Sequence, residues 1–568
     1  MDKFNNIKTL YDLSYFLKIP TRKITYILYK KGIDNLYTSF EIPKKNGGVR
    51  HINAPSKDLK DIQRKLVLSL WAHQKHIWEE SGKNLNVSHA FQKEKSIITN
   101  AQIHRNKRFV LNIDLENFFE SFHFGRVRGF FEKDKNFLLP KKVATIIAQL
   151  TCYEGHLPQG APSSPIITNL ICNILDMKLL KLSKKYKLNY TRYADDLTFS
   201  TNNKHFLDQQ SDFYEEISKI IERAGFKINE KKTRLQFRDS KQEVTGLVVN
   251  KKVNVDRNYH KITRSMAHSL YTKDNFQIDG EFGEITQLEG RFSFINQLDR
   301  YNNLVKKDRD KNVKLNFRNL NSREKQYQMF LFYKYFYKNK RPLIVTEGKT
   351  DIEYLKSALK NLYKDYPNLI TKKSDETFEF KVSFLRRTKR LSYFLDIKLD
   401  GADTMKNIYN YYIGKENNGY PNFVKKFKDL GSIPNNPVIF ILDNELNNSN
   451  KPLKKIMNHM GLNKGVSKSS FFSEDYYIHI TENLYLLTHQ LVKDLHECEI
   501  EDLFDDSILN QKIHGKNFER DDKKFNINNH YGKANFADYI SKNYRSINFS
   551  KFKCMLDHLN SIVTFKSN

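Results

Sequence analysis

Two adjacent carboxylates, Asp195 and Asp196, sit between two short strand-forming runs, Asn189–Ala194 and Leu197–Thr201. A two-residue turn between runs that alternate apolar and polar residues is a β-hairpin pattern. The acids are therefore expected at a hairpin tip. Taken alone, an Asp-Asp pair reads as a solvated turn, because adjacent acids repel and add little to stability. A divalent cation would neutralise them, and Mg²⁺ binds carboxylate oxygens while keeping positions open for phosphate. A third acid occurs upstream, where the strand-like run Phe109–Asp114 ends in a carboxylate and Leu115–Phe119 turns toward a helical pattern. Carboxylates from separate strands can hold two cations about 4 Å apart for phosphoryl transfer. Asp114, Asp195 and Asp196 meet that need if their strands lie side by side.

Between these acids runs Leu157-Pro158-Gln159-Gly160-Ala161-Pro162-Ser163-Ser164-Pro165, whose prolines and glycine make it a rigid loop. Downstream, Gly225-Phe226 leads to Asn229-Glu230-Lys231-Lys232-Thr233, which brings a cation near the same region. The order of Asp114, the Gln159-Gly160 loop, Tyr193-Ala194-Asp195-Asp196 and Lys232-Thr233 resembles the reverse transcriptase palm. Asn100-Ala101-Gln102-Ile103-His104 and Val244-Thr245-Gly246 narrow the resemblance to retron reverse transcriptases. Ile42–Arg50 and Leu59–Gln63 are similar to that family's fingers. The resemblance covers residues 1–320, with the thumb at about 245–320.

The resemblance implies a right-hand polymerase of fingers, palm and thumb, with Asp114, Asp195 and Asp196 as ligands of a two-metal Mg²⁺ site. It implies that Phe119 gates against a 2′-hydroxyl and that Gln159 lines the incoming dNTP. Lys44 and Arg50 match triphosphate-contacting positions, where a guanidinium suits bidentate contact, although Lys45 stands beside Lys44 in a lysine-rich chain. Lys232 matches a lysine near the leaving pyrophosphate. His104 reads as a hydrogen-bonded core histidine.

Composition agrees with a partner that is a polyanion. Lys and Arg number 96 against 65 Asp and Glu, a formal charge of +31, and such a field binds nucleic acid. The 31 Tyr and 41 Phe offer stacking surfaces for bases, although most aromatics serve cores. Four cysteines without a Cys-x-x-Cys pair indicate neither a zinc ribbon nor a disulfide framework. No apolar run approaches a membrane span and the N-terminus has no apolar signal core, so a soluble cytoplasmic protein is expected.

The polymerase pattern fades after residue 320. Residues 321–340 read as a linker, and a second organisation occupies 341–568. Leu343-Ile344-Val345 is a buried strand candidate, followed by Glu347-Gly348-Lys349-Thr350-Asp351 and a helical face of Ile352, Leu355, Leu359 and Leu362. Gly348-Lys349-Thr350 is not a P-loop, because the glycine required five residues earlier is Leu343. A second strand candidate, Val438–Leu442, ends in Asp443-Asn444-Glu445. Functional groups gather at the carboxyl ends of strands in open α/β sheets, so Glu347, Asp443 and Glu445 are expected to form an acidic metal site for Mg²⁺ or Mn²⁺. An apolar strand ending in Glu-Gly and a later one ending in Asp-x-Asp resemble the Rossmann-like Toprim domain, from which Glu445 departs. Glu499, Glu501 and Asp502 read as a charged helix face.

The whole is expected to be multidomain, α+β followed by α/β: a retron-type reverse transcriptase fused to a Toprim nuclease with Glu347 as base or ligand. Family resemblance implies a cognate noncoding RNA (msr-msd) as template and primer, branched RNA-linked single-stranded DNA (msDNA) as product, and a toxin role in anti-phage defence. The nuclease substrate, DNA or structured RNA such as tRNA, stays open, as does a homo-oligomer with bound msDNA. The alternatives are a group II intron-like maturase and a non-catalytic RNA-binding scaffold.

Overall fold

The chain divides into two units, Met1–Arg257 and Asn258–Asn568. A computed structural model describes residues 4–44, 47–82, 86–398, 401–446, 448–462, 476–521 and 523–564. Lys45 and Asn46 of the expected fingers segment lie outside the described residues.

In the first unit, β1 (Tyr37–Pro43) and β2 (Val49–Pro55) pair as a hairpin, followed by helix α1 (Lys57–Ser81). A second sheet has order β4-β5-β3-β6, with β3 Phe109–Asp114, β4 Asn189–Tyr193, β5 Asp196–Thr201 and β6 Arg234–Phe237. Its pairings are antiparallel. Period-two alternation gives the sheet two different faces. Phe109, Leu111, Ile113, Leu197 and Phe199 enter the apolar core with Leu175, Leu179 and Leu182 of α3 (Ser164–Lys185) and Phe213, Ile217 and Ile221 of α4 (Gln210–Arg223). The other face is polar and includes Asn112, Thr198 and Ser200, and the acids Asp114 and Asp196 extend from it by the same alternation.

That polar face is buried, so its hydroxyls need partners. His104, which caps the helix Ile97–Ile103, supplies them. Its Nδ1 lies 2.7 Å from Ser200 Oγ and its Nε2 lies 2.7 Å from Thr191 Oγ1. Thr191 gives its only hydroxyl proton to Asn100 Oδ1 at 2.6 Å, so Nε2–H donates to Thr191 and Ser200 donates to Nδ1. Burial pushes the imidazole pKa down to about 3, so it is neutral. The core-histidine expectation holds, and the Asn100–His104 motif is a clamp on β4 and β5.

A buried ion pair fixes the same hairpin from below. Arg192 donates from Nε and Nη2 to the two carboxylate oxygens of Asp176, each at 2.8 Å, and Tyr190 Oη donates to Asp176 Oδ1 at 2.8 Å. Arg192 Nη1 also donates to the Ala194 carbonyl at the tip. Removing one partner of a buried pair strands a charge and costs about 3–5 kcal/mol, whereas apolar replacement of both is often near neutral.

In the second unit the sheet has order β8-β7-β9-β11-β10, with β7 Leu343–Thr346, β8 Ser383–Phe384, β9 Val438–Ile441, β10 Tyr477–Thr481 and β11 Leu484–Leu487. All pairs are parallel except β10 with β11. Strands buried on both faces read as unbroken apolar runs, which is why both strand candidates are legible in sequence. Leu343, Val345, Val438, Phe440 and Leu486 enter one core. Ile344, Ile439, Ile441 and Leu487 enter the opposite one with Tyr354, Leu355 and Leu359 of helix Thr350–Asn361 and Phe536 of helix Lys533–Asn543.

Two boundary expectations are corrected. Residues 321–340 are not a linker: Ser322–Phe332 is a helix that continues into a π-helical turn, Tyr333–Tyr337. Tyr327, Phe330, Leu331, Phe332, Tyr333, Phe336 and Tyr337 are buried, and that much aromatic surface drives the segment into a core. The expected thumb residues from 258 onward belong to the second unit. Leu270, Leu288 and Phe292, on helices Arg257–Lys273 and Ile285–Arg309, share one core with Val345 and Phe440. Among the described residues no helix is long and apolar enough to cross a membrane.

Arg192→Met and Asp176→Leu are each expected to destabilise the first unit by about 3–5 kcal/mol, and the double substitution to recover most of the loss. Urea unfolding followed by circular dichroism measures this. Additive losses in the double variant would contradict it.

Candidate active sites

In the first unit the register places Asp114 directly opposite Asp196. Opposite residues of an antiparallel pair have Cα atoms about 4.5–5.5 Å apart, so two carboxylates share one spot on the polar face. Asp195 stands at the two-residue turn between Tyr193 and Asp196, which pair, and its carbonyl accepts from Leu115 N at 3.1 Å. Ala194 holds φ at 56°, a left-handed conformation that costs a non-glycine residue about 1 kcal/mol or more. The turn persists because the Arg192–Asp176 pair and the sheet over-determine it.

The acids act on one another. Burial, then the charges of Asp195 and Asp114, raise Asp196 to about pKa 7. Burial and Asp114 raise Asp195 too, and Lys232 and Arg50 draw it back down. Lys232 Nζ lies 2.9 and 3.2 Å from the two oxygens of Asp114, and Asn229 Nδ2 donates to Oδ1 at 3.1 Å. This ammonium thus offsets part of the negative charge. Arg50, exposed on β2, acts through its field, whereas Lys44, exposed at the end of β1, forms no ion pair with the three acids. Phe119 is half-buried with its ring edge-on to Phe118 at 5.5 Å. The Gln159 carbonyl accepts from Asn53 N of β2 at 2.8 Å. Gly160 has φ 122°, and a Cβ there would meet Asn53 O at 2.7 Å, so glycine permits the close approach of loop and fingers strand.

A family model described as reverse transcriptase (RNA-dependent DNA polymerase) matches residues 42–255. The retron Ec86 reverse transcriptase of Escherichia coli is 32% identical over 296 residues, spanning 52% of this chain and 85% of that protein. The chain belongs to the retron reverse transcriptase family. The retron Mx162 enzyme of Myxococcus xanthus is 30% identical and spans 50% of this chain and 63% of its own length. A solved telomerase from Candida albicans in complex with telomeric RNA is similar at 12% identity, with a TM-score of 0.33, covering 75% of this chain and 69% of that one.

The second acidic group lies at strand ends in the other unit of this retron-family chain. Glu347 follows β7, and its Oε2 is buried without a hydrogen-bond partner. Burial, then Asp443, Asp351 and Glu445, push it up to about pKa 8. Asp443 Oδ1 accepts from Ile500 N at 2.9 Å. Glu445 is buried and ion-paired to Lys451, so the departure from Asp-x-Asp carries its own cation. Asp351 Oδ2 caps Gly348 N at 2.8 Å.

Glu501 corrects the charged-face expectation. It is fully buried, lies 3.2 Å from Lys533 Nζ, and is pushed up to about pKa 7 by its burial and by its acidic neighbours. Sequence reasoning overlooked Lys533, which is also 3.2 Å from Glu499. It overlooked Asp351 as well, although Asp351 closes the segment that begins with Glu347.

Among the described residues no three His, Cys, Asp or Glu side chains already stand gathered around a metal position. The donor chemistry nonetheless fits a divalent cation in both units. Oxygen-rich acids raised by mutual repulsion, and an orphaned Glu347 oxygen in the second unit, are what a cation would satisfy.

The raised pKa of Asp196 predicts a pH dependence in the metal-free protein. Between the unfolded value near 4 and the folded value near 7 the native state holds a proton that the unfolded state has lost, so stability falls as pH rises through that window. Asp196→Asn is expected to flatten the fall and to stabilise the metal-free chain at pH 8 by up to about 4 kcal/mol before solvent screening. Thermal unfolding in chelator at pH 5 and pH 8 measures it; an equal effect at both values would refute it.

Proposed function

We propose that the chain is the polymerase–effector protein of a retron. The first unit copies a cognate noncoding RNA (msr-msd) into DNA from a 2′-hydroxyl primer, giving branched RNA-linked msDNA. The observation that carries this is the opposition of Asp114 and Asp196 across β3 and β5 with Asp195 at the tip. Two bound Mg²⁺ ions would supply nucleophile activation and charge neutralisation at the transferred phosphoryl group.

The chain's own residues do the rest. Asp114, Asp195 and Asp196 would hold the cations, on strand ends fixed by the Arg192–Asp176 pair and the His104 clamp. Arg50 presents a guanidinium to the triphosphate, with Lys44 as a second, freer charge. The Gln159 loop, held to β2, shapes the dNTP site, and the Phe119 ring excludes a 2′-hydroxyl. Lys232, ion-paired to Asp114 in the metal-free site, would be placed to meet the pyrophosphate.

We infer that the second unit is a Toprim-type nuclease that hydrolyses phosphodiesters of DNA or structured RNA, a toxin used against phage in the cytoplasm and restrained while msDNA is bound, with a homo-oligomer around msDNA as one route to restraint. Parallel strands ending in Glu347 and in Asp443 and Glu445 support this, as does their shared charge repulsion. Glu347 is held largely protonated at neutral pH and would lose its proton on binding Mg²⁺ or Mn²⁺.

Asp195→Asn with Asp196→Asn is expected to reduce primer extension by at least about 10³-fold while leaving RNA binding intact. Extension near the wild-type rate would overturn the polymerase assignment. Glu347→Ala, or Asp443→Ala with Glu445→Ala, is expected to leave DNA synthesis unchanged and to abolish metal-dependent cleavage of labelled DNA and bulk RNA after the bound DNA is digested away. Cleavage that survives in both variants would remove the nuclease assignment.

A further inference from the structure

The acidic cluster of the second unit includes a side chain that is not an acid. β7, β9 and β11 are adjacent and parallel, with Ile441 opposite Leu487. Two residues beyond that pair stand Asp443 and His489. Three stitches hold them level: Leu442 N donates to Leu487 O at 3.2 Å, Thr488 Oγ1 donates to Leu442 O at 2.8 Å, and Asn444 Nδ2 donates to His489 O at 2.8 Å.

His489 is fully buried. Its Nδ1 lies 3.0 Å from the Gln490 carbonyl. A carbonyl only accepts, so Nδ1 carries the hydrogen. In the neutral ring Nε2 is then a bare lone pair. It has no hydrogen-bond partner and points at Asp443 Oδ1, 3.7 Å away. Two acceptors facing each other in a buried site is an arrangement a cation resolves. A ring nitrogen fixed by a carbonyl on its far side, with the other free, is also how proteins orient an imidazole toward a metal.

We propose that His489 is a metal ligand of the second unit, binding through Nε2 beside Asp443, and that it makes the site one for a divalent transition ion such as Mn²⁺ in preference to Mg²⁺. Imidazole suits transition ions, whereas Mg²⁺ takes oxygen donors. The proposal rests on reading Glu347, Asp443 and Glu445 as a metal site, and it adds a nitrogen donor to that set. Among the described residues the palm acids have no histidine partner of this kind: His104 spends both nitrogens on Thr191 and Ser200.

The test uses the full chain carrying Asp195→Asn and Asp196→Asn, which silences the palm, with Mn²⁺ alone as probe. Electron spin echo envelope modulation should show a directly bonded imidazole ¹⁴N, replaced by the ¹⁵N pattern when histidine is ¹⁵N-labelled. His489→Gln should lose this signal and hold Mn²⁺ at least about tenfold more weakly. If His489→Gln does not fold, the labelled and unlabelled parent proteins decide the matter between them. Mn²⁺ that binds, is lost in Asp443→Ala, yet shows no bonded nitrogen would overturn the role of His489 and leave the acidic site standing. No Mn²⁺ bound to the palm-silenced chain would overturn both.

Discussion

Everything at the first site depends on keeping like charges close. Asp114 and Asp196 are opposed by strand register, and no side-chain rotation relieves that. The repulsion is offset from two directions. Lys232 contributes a positive charge at the carboxylates, and the Arg192–Asp176 pair, buried one layer below, holds the tip through the Ala194 carbonyl. The buried pair adds little net stability by itself. Its value is directional, since it fixes where the hairpin ends and keeps the left-handed Ala194 from relaxing.

The second unit meets the same problem with more fixed cations. Lys451 on Glu445 and Lys533 between Glu499 and Glu501 lie within the acidic cluster, and Glu347 carries its share as a proton. Lysines and protons thus offset the charge of the acids in the metal-free site. Incoming cations must displace those protons, so affinity rises with pH.

The acids at strand ends were legible because chemistry and topology leave the same mark. Strand-forming runs end at or next to a carboxylate, at Asp114, Glu347 and Asp443, and the run Val438–Leu442, buried on both faces, is apolar up to its acid. The family elements at Asn100–His104 were legible as a pattern, but their function was not. A His hydrogen-bonded to Thr191 and Ser200 depends on contacts 87 and 96 residues away. Glu501 and Lys533 failed for the same reason, since a buried acid and a surface acid look alike in a Glu-Ile-Glu-Asp string. The supposed linker failed differently. Its lysines and asparagines resemble a connector, yet the spacing of Tyr327, Phe330, Leu331 and Phe336 is helical and apolar, and that periodicity outweighs polar composition.

The shared core of the second unit bears on how restraint could work. Helices expected to grip nucleic acid as a thumb place Leu270 and Phe292 among the same buried side chains as Val345 and Phe440, whose strands end in Glu347 and Asp443. Close-packed cores transmit displacement because they have no slack. A displacement of those helices would therefore change the packing under the acidic strand ends, because both belong to one core. A true linker at 321–340 would have decoupled the two. In its place a buried aromatic helix joins the same core, so the helices expected as a thumb and the strands that lead to Glu347 and Asp443 share one set of packing contacts.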